Sequence, residues 1–183
     1  LSLSGHDPSG GAGIHADIET IISHQCHPAS VITALTEQNS ASVKKLIPQA
    51  ANNIIDQAHT LFTDLPIKVI KIGLIGHIDT VKAIHSILME YSSLPVILDP
   101  VLAAGGGGVP FSDPELIEAI VELILPRTTI ITPNSVEARL LTGEDDLQVA
   151  GKKLLELGCE YALITGTHEQ THSVSNKLFK ETE

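Results

Sequence analysis

Aromatic side chains are scarce in this sequence: tryptophan is absent, and aromatic residues make up 3% of the 183 positions. The core must therefore be built from aliphatic residues, and platforms on which nucleic-acid bases stack are not expected. Basic residues are also few, with 11 Lys and Arg against 22 Asp and Glu, which gives a net charge of −11. This balance argues against nucleic acid or an anionic membrane surface as the main partner.

Cysteine is rare as well, since Cys26 and Cys159 are the two in the sequence and lie far apart. They lack the spacing of a metal site and are typical of free thiols in a reducing compartment. No apolar run is long enough to span a membrane and no signal peptide is visible, so a cytoplasmic location is expected. With 43% hydrophobic and 18% charged residues, the composition predicts one globular domain over 1–183.

Short β-rich runs alternate with amphipathic helical runs along the chain. Strands are expected at 1–4, 29–36, 67–72, 95–98, 128–132 and 161–165, with a further extended piece at 42–47. Helices are expected at 14–24, 50–65, 80–91, 114–125, 135–141 and 146–157. Because apolar strands alternate with helices, the pattern predicts a mostly parallel central sheet covered by helices on both faces, a three-layer α/β/α sandwich.

Local signals refine some of these boundaries. Pro48 suits a helix start, and Ser112 is expected to cap the helix that follows it, with Glu115 completing a capping box. Gly143 is expected to end the next helix, and Gly105–Gly108 is expected to be a flexible loop.

Glycine is concentrated in the stretch 4–13, between the first strand and the first helix. Four glycines in nine residues from Gly5 let the backbone turn sharply and approach a ligand closely, while Asp7-Pro8 stiffens the turn. The N–H groups of the following helix would point back at a bound ligand. The stretch predicts a small-molecule site, with a plain glycine-rich turn as the alternative.

Polar residues follow six of the expected strands. They are Asp7, Glu37–Asn39, Gly73, Asp99, Asn134 and Thr165–Thr167. Because ligands of parallel α/β sheets bind beyond the carboxyl ends of the strands, these residues predict one site along a single edge of the sheet.

Two of these positions suit metal and phosphate chemistry. Asp99 follows an apolar strand, where a carboxylate favours a hydrated Mg²⁺ with phosphate oxygens as further ligands. Asn134 precedes a helix and Glu137 lies one turn on, so together they could hold metal-bound water and a nucleotide phosphate. Simple helix capping is the alternative for both residues.

Two short motifs indicate other functions. Gly11-x-Gly13-x-x-Ala16, with Glu37 at the distance of a ribose-binding acid, fits a dinucleotide-binding fingerprint, although its loop is longer than usual. His168-Glu169-x-x-His172 matches the zinc-protease motif, which needs a helix, yet its neighbours are poor helix formers.

A set of stretches along the chain is more specific than either motif. In order they are SGHDPSGGAGIHAD, VITALTEQN, IKIGLIG, ILDPVLAAGGG, TPNSVEARLLTG and LGCEYALITGTHE. Over 1–176 the chain resembles hydroxymethylpyrimidine/phosphomethylpyrimidine kinases, thiamine-pathway enzymes of the ribokinase-like superfamily. The resemblance implies a ribokinase-like fold, ATP and Mg²⁺ as cofactors, a homodimer, and phosphorylation of 4-amino-5-hydroxymethyl-2-methylpyrimidine and its monophosphate. A pyridoxine- or pyridoxal-type kinase and a non-catalytic pyrimidine-binding module of the same fold stay open.

The resemblance also assigns site residues. The pyrimidine would be bound by Gly5, Asp17, Gln38, Leu74 and Val101. ATP would be bound by Asn134, Glu137, Thr165 and Gly166, and the metal ion by Asp99 and Glu137.

The chain departs from the family pattern in two ways. Thr165 stands where many members have a lysine, and a threonine offers phosphate a hydrogen bond but no charge. The family's glycine-rich anion hole and its base have no match in 1–183 and are expected beyond Glu183. A protein consisting of these 183 residues alone is therefore expected to be a poor catalyst.

Overall fold

The computed structural model describes residues 1–103, 111–169 and 173–181. The strands are β1 (Ser2–His6), β2 (Ser30–Gln38), β3 (Val43–Pro48), β4 (Ile70–Ile72), β5 (Val96–Leu98), β6 (Ile130–Ile131), β7 (Tyr161–Ile164) and β8 (Lys177–Lys180). The helices are α1 (Gly13–Ser23), α2 (Ala51–Asp64), α3 (Ile78–Glu90), α4 (Pro114–Ala119), α5 (Ser135–Thr142) and α6 (Leu147–Glu156). After α4 the chain continues through a π-helical turn, Ile120–Ile124, and a 3₁₀ turn, Leu125–Arg127.

The eight strands of the described residues form one sheet in the order β3-β2-β1-β4-β5-β6-β7-β8. The six central strands are parallel, whereas β3 and β8 pair antiparallel at the two edges. The mostly parallel sheet predicted from the alternation of strands and helices is thereby confirmed. The extended piece predicted at 42–47 is also confirmed and corresponds to β3.

Strand β8 was not predicted, because the sequence suggested that 161–165 was the last strand and 177–183 a polar run. Two lysines bound β8, and Leu178 and Phe179 are its apolar residues. Charged ends are common on sheet edges, where they prevent pairing with other chains, so such a strand carries little hydrophobic signal. Its pairing with β7, from Ile164↔Lys177 to Tyr161↔Lys180, depends on contact that local periodicity does not encode.

One face of the sheet carries the main core. The register aligns a row of apolar residues from neighbouring strands, each with 0% exposure: Leu3, Ile72, Leu98, Ile131 and Ala162. Helices α2 to α6 bury their apolar faces in the same cluster, for example through Ile54, Ile84 and Leu154. The aliphatic core expected from the composition is therefore formed on this face.

The opposite face is covered less completely. Helix α1 packs there against β1 and β2, and its Asp17 contacts Ser2 and Lys71. Farther along the same face, Tyr161 is 39% exposed and Leu178 is 62% exposed. Among the described residues, the sandwich thus has one full helical layer and one layer made of α1.

Two predicted helix starts differ from the structure. Asp113, not Ser112, is the N-cap of α4, since its carboxylate accepts the Leu116 N–H at 2.8 Å. The Ser112 hydroxyl instead donates to the Leu102 carbonyl at 3.0 Å. Pro48 ends β3, where an edge strand tolerates a residue without an N–H, and α2 begins later, at Ala51.

Other local predictions have mixed outcomes. Gly143 ends α5 with φ +73°, as predicted, and its N–H donates to the Arg139 carbonyl at 2.8 Å. The predicted Gly105–Gly108 loop lies outside the described residues. In the part of the chain that is described, no helix has the length and apolar character needed to cross a membrane.

Candidate active site

A cavity of about 310 Å³ opens at the carboxyl ends of β1, β2, β4 and β5. All five residues predicted to bind the pyrimidine line it: Gly5, Asp17, Gln38, Leu74 and Val101. Asp99, predicted as a metal ligand, lines it too. Four elements separated widely in sequence therefore bring the predicted residues to one place.

A more open groove of about 520 Å³ lies beside this cavity, between β3, the segment 76–78 and the start of α4. The two share Val43 and Phe111 as lining residues. No predicted site residue lines the groove, so the candidate site is the smaller cavity.

The loop after β1 is held together by Asp7. Its buried carboxylate accepts the Ser9 N–H at 2.8 Å and the Ser9 hydroxyl at 2.7 Å. Burial acts to raise the pKa of Asp7, but hydrogen bonds from Ser9, Ala12 and Gly11 outweigh it and lower the pKa. The loop amides of Ser9, Gly11 and Ala12 therefore bind the protein's own carboxylate, which stabilises the turn.

Two glycines of this region permit close backbone approaches. Gly13 has φ +59°, and a Cβ there would overlap the Gly5 carbonyl oxygen. A Cβ on Gly5 would lie 2.7 Å from Cδ2 of Leu74. The Leu74 side chain therefore packs directly on the backbone of β1 at the cavity wall.

Gln38 lies at the carboxyl end of β2 and is half-buried. Among residues 1–103, 111–169 and 173–181, its side-chain amide has no hydrogen-bond partner. A half-buried amide retains both a donor and an acceptor for a ligand. The neighbouring Thr36 hydroxyl, by contrast, donates to the His6 carbonyl at 2.8 Å.

Lys71 is a cavity residue that the sequence reasoning did not identify. Its Nζ lies 3.0 Å from each carboxylate oxygen of Asp17 and 3.9 Å from Oδ2 of Asp99. The Ser2 hydroxyl donates to Asp17 Oδ2 at 2.6 Å. A charged residue between two buried isoleucines of β4 was the available signal, but its partner lies 54 residues away.

Asp99 and Glu137 form the acidic part of the site. Burial raises the pKa of Asp99, an effect that Lys71 reduces and Asp17 reinforces. Burial likewise raises the pKa of Glu137, and the negative charge of Asp99 adds to the shift. The protein therefore does not fully compensate the negative charge of either carboxylate, and a divalent cation bound beside them would be stabilised.

Glu137 also completes the N-terminal cap of α5. Its Oε2 accepts the Asn134 N–H at 2.8 Å, while Asn134 Oδ1 accepts the Val136 and Glu137 N–H groups at 2.9 Å each. The capping alternative is thus realised as a full capping box. Glu137 Oε1 additionally lies 3.5 Å from the Leu102 N–H, directed toward the β5 end.

The residues predicted for ATP lie at the next two strand ends. Asn134 forms an isolated parallel bridge with Thr165, and the Thr165 N–H donates to the Pro133 carbonyl at 2.9 Å. The Gly166 N–H donates to the Asn176 side chain at 3.3 Å. Asn134, Thr165 and Gly166 do not line the 310 Å³ cavity. Glu137 does not line it either, but its pKa is raised in part by the negative charge of Asp99, which does line the cavity.

A second contact missed from sequence secures the loop after β7. Arg139 binds the Glu169 carboxylate through two hydrogen bonds, at 2.8 and 3.1 Å. The hydrogen bond from Arg139 lowers the pKa of Glu169 to about 2. Because β7 leads into this loop, the ion pair fixes Thr165 and Gly166 against α5.

The zinc-protease motif is not supported here. His168 and Glu169 lie in a turn, the carboxylate of Glu169 is engaged by Arg139, and His172 lies outside the described residues. Within the described ranges, no group of three or more His, Cys, Asp or Glu side chains is arranged to hold a metal ion.

The dinucleotide fingerprint is not supported either. Dinucleotide-binding sheets continue with parallel strands beyond the second, whereas β3 is antiparallel to β2. The side chain of Glu37 is 61% exposed and lies 4.0 Å from Lys44 on β3.

The sequence is similar to those of known proteins. The family model described as phosphomethylpyrimidine kinase matches residues 7–183. The hydroxymethylpyrimidine/phosphomethylpyrimidine kinase of Salmonella typhimurium is 35% identical over 185 residues, covering 98% of this chain and 69% of that enzyme.

Solved structures are similar as well. The phosphomethylpyrimidine kinase of Clostridium difficile superposes with a TM-score of 0.86 at 31% identity, covering 98% of this chain and 83% of the other. Bacillus subtilis pyridoxal kinase, solved as an ADP complex, has a TM-score of 0.86 at 28% identity, covering 100% and 70%.

Proposed function

Because the chain belongs to the phosphomethylpyrimidine kinase family, we propose that it is an ATP-dependent kinase of thiamine biosynthesis. Its substrates would be 4-amino-5-hydroxymethyl-2-methylpyrimidine, called the pyrimidine alcohol below, and the corresponding monophosphate. The observation that carries the proposal is the free amide of Gln38 in a cavity that four strand ends share. The activity of a whole enzyme is part of the proposal, since the chain spans 69% of the Salmonella relative.

The cavity suits a flat aminopyrimidine. The Gln38 amide would meet the ring edge, because an aminopyrimidine presents neighbouring donors and acceptors as an amide does. Leu74 and Val101 would supply apolar walls, and Gly5 would leave room for the ring next to the strand. Asp17 would lie at the side of the cavity where Lys71 already holds its carboxylate.

The acidic part of the edge fits a hydrated Mg²⁺. The fit rests on the donors: the pKa values of Asp99 and Glu137 are both raised, so both carboxylates would be stabilised by a nearby cation. When bound there, Mg²⁺ would neutralise the charge of the nucleotide phosphates. Asn134, Thr165 and Gly166 would lie beside those phosphates, with Thr165 contributing a hydrogen bond only.

The reaction would be phosphoryl transfer to an alcohol. The hydroxymethyl oxygen would bond to the γ-phosphorus of ATP as the bond to the bridging oxygen breaks, its electron pair leaves with ADP, and the hydroxyl proton passes to a base. Positioning and charge compensation supply most of the acceleration in such reactions. The residues assigned here bind and orient; none of them is assigned as the base.

Calorimetric titration of the purified protein tests the proposal. The wild type should bind the pyrimidine alcohol, and Gln38→Ala should weaken that binding by about tenfold or more, as expected for lost hydrogen bonds to a ring. Gln57→Ala, at an exposed position of α2, is the matched control and should leave the affinity unchanged. Equal affinities for wild type and Gln38→Ala would reject the assigned role of Gln38.

A pyridoxal kinase is the second candidate. The Bacillus subtilis pyridoxal kinase superposes as well as the Clostridium difficile enzyme does, with the same TM-score of 0.86. Pyridoxal belongs in the same titrations, with NAD as a negative probe. Tighter binding of pyridoxal than of the pyrimidine alcohol would favour this candidate, and binding without turnover would indicate a pyrimidine-binding module.

The proposal extends to domain organisation, location and assembly. We take residues 1–183 as one ribokinase-like domain, because the eight strands that the described part of the chain contains belong to a single sheet. The homodimer rests on the family resemblance, and the cytoplasmic location on the two cysteines, which are typical of free thiols in a reducing compartment. Analytical ultracentrifugation of the purified protein would test the dimer, and a monomer at micromolar concentration would contradict it.

A further inference from the structure

The structure holds a lysine ammonium inside the candidate site at a position with no role in the function proposed above. We propose that Lys71 binds the phosphate group of the pyrimidine monophosphate, and that Asp17 is the residue that positions Lys71. The inference rests on the proposed function and deepens it, because it names the residue that distinguishes the second substrate from the first.

Three neighbours determine where the ammonium lies. Asp17 contacts Nζ through both carboxylate oxygens, at 3.0 Å each, and Ser2 secures Asp17 through a 2.6 Å hydrogen bond. A Cβ on Gly73 would lie 2.8 Å from Nζ, so the absence of a side chain at Gly73 leaves the space that the ammonium fills. Lys71 therefore extends along β4 toward the carboxyl edge of the sheet.

The ammonium retains donor capacity in this position. A lysine has three N–H donors, and among the described residues Nζ makes one hydrogen bond, to Oδ2 of Asp17 at 3.0 Å. Oδ1 of Asp17 is an ion-pair contact at 3.0 Å, and Oδ2 of Asp99, at 3.9 Å, lies beyond hydrogen-bond distance. One donor of Lys71 is therefore available to an anionic oxygen in the cavity.

The charges of the cavity favour the same conclusion. Asp7, Asp17 and Asp99 line it, and Lys71 is the one lysine or arginine among the described lining residues. A phosphate dianion entering this space would be repelled by Asp99 unless a cation stood beside it. Lys71 lies between Asp17 and Asp99, where it would compensate that charge.

A phosphate-binding residue matters when the monophosphate is phosphorylated, and not when the pyrimidine alcohol is phosphorylated. A phosphate oxygen of the monophosphate bonds to the γ-phosphorus of ATP, the bond to the bridging oxygen breaks, and its electron pair leaves with ADP. No hydroxyl proton is released in this step, so the demand on the protein is to hold two anions together. The alcohol carries no charge and needs no cation at this place.

A purely structural role for Lys71 makes a different prediction. If the Lys71–Asp17 pair only stabilised the packing of α1 on β4, its loss would affect both substrates equally. If Lys71 contacts phosphate, its loss would weaken the monophosphate selectively. The ratio of the two affinities therefore separates the roles, and a change in overall stability does not alter that ratio.

The experiment measures the affinity of the pyrimidine alcohol and of its monophosphate by calorimetry without ATP, for the wild type and for Lys71→Met. We expect Lys71→Met to weaken the monophosphate by about tenfold or more, the effect of one lost charge-assisted hydrogen bond, and to change the alcohol by less than about twofold. Lys68→Met is the matched control, because Lys68 is exposed and lies outside the cavity lining.

Lys71→Gln is the second variant, in case Lys71→Met does not fold. It keeps an N–H donor but removes the charge, so monophosphate affinity should fall selectively and by less than in Lys71→Met. Equal weakening of both ligands in either folded variant would overturn the inference while leaving the proposed function intact. A wild type that binds neither pyrimidine would overturn the proposed function itself, and this inference with it.

Discussion

Substitution of Gly13 provides the sharpest test of how the site loop is built. Gly13 adopts φ +59°, where an L-residue is strained by about 1–2 kcal/mol. An alanine Cβ would also overlap the Gly5 carbonyl oxygen, so the backbone of β1 or of the loop would have to move. Overpacking of this kind costs about 1–3 kcal/mol, and Gly13→Ala should therefore lower the free energy of unfolding by about 2–5 kcal/mol.

Gly10 in the same loop supplies the control. It has φ +80°, but an alanine Cβ there would have no atom of the described residues within 4 Å. Gly10→Ala should therefore show the backbone strain alone, about 1–2 kcal/mol, and the difference between the two variants isolates the cost of the overlap. Urea unfolding measures both values, and each kcal/mol should lower Tm by about 2–4 °C in a chain of this size.

Binding measurements add a second result for the same pair. Gly5 lines the cavity, so a displaced Gly5 backbone should weaken the pyrimidine alcohol in Gly13→Ala and not in Gly10→Ala. If the two variants were equally stable and bound the ligand equally, the approach of Gly13 to Gly5 would have no energetic role. The view of the loop as a rigid support for the cavity would then be wrong.

Three further predictions concern other parts of the molecule. Glu137→Ala should weaken Mg·ATP binding, and an unchanged Mg²⁺ dependence of nucleotide affinity would contradict the role assigned to Glu137. The pKa of Glu169 is lowered to about 2, so its ion pair with Arg139 stabilises the fold above pH 4.5, and this stabilisation is lost as the pH falls toward 2. In Glu169→Gln, the free energy of unfolding, measured by chemical unfolding, should therefore change less between pH 4.5 and pH 2. Burial raises the pKa of the Cys159 thiol to about 12, whereas Cys26 is exposed. A thiol reagent at about pH 8 should therefore label Cys26 alone in the native protein and both cysteines in urea. Labelling of Cys159 in the native protein at the same rate as Cys26 would contradict its burial.

Much of the fold was accessible from the sequence because its signals are local. Short β-rich runs of four to eight residues, separated by helical periodicity, placed seven of the eight strands found in the described residues and predicted the parallel sheet. Because ligands bind at the carboxyl ends of such strands, Gln38 and Asp99 were predicted to lie at one edge of the sheet. In the structure both residues line one cavity at that edge.

The features that were missed depend on contacts between distant segments. Lys71 and Asp17 are 54 residues apart, and Arg139 and Glu169 are 30 residues apart, so neither pair leaves a periodic trace. The helix cap at Asp113 was missed for a different reason. Ser112 and Asp113 are both good caps, and the hydrogen bond from Ser112 to Leu102 decided between them.

The carboxylates at the sheet edge differ in how far the protein compensates their charge. Asp7 is held by backbone N–H groups, and Asp17 by Ser2 and Lys71. Glu137 accepts N–H groups, yet burial still raises its pKa. Among the described residues, Asp99 is paired with Lys71 at 3.9 Å. The uncompensated charge is therefore concentrated at Asp99 and Glu137. In a chain of net charge −11, an anionic nucleotide would be repelled there, so a divalent cation at that point would both relieve the two carboxylates and make the approach of a triphosphate favourable.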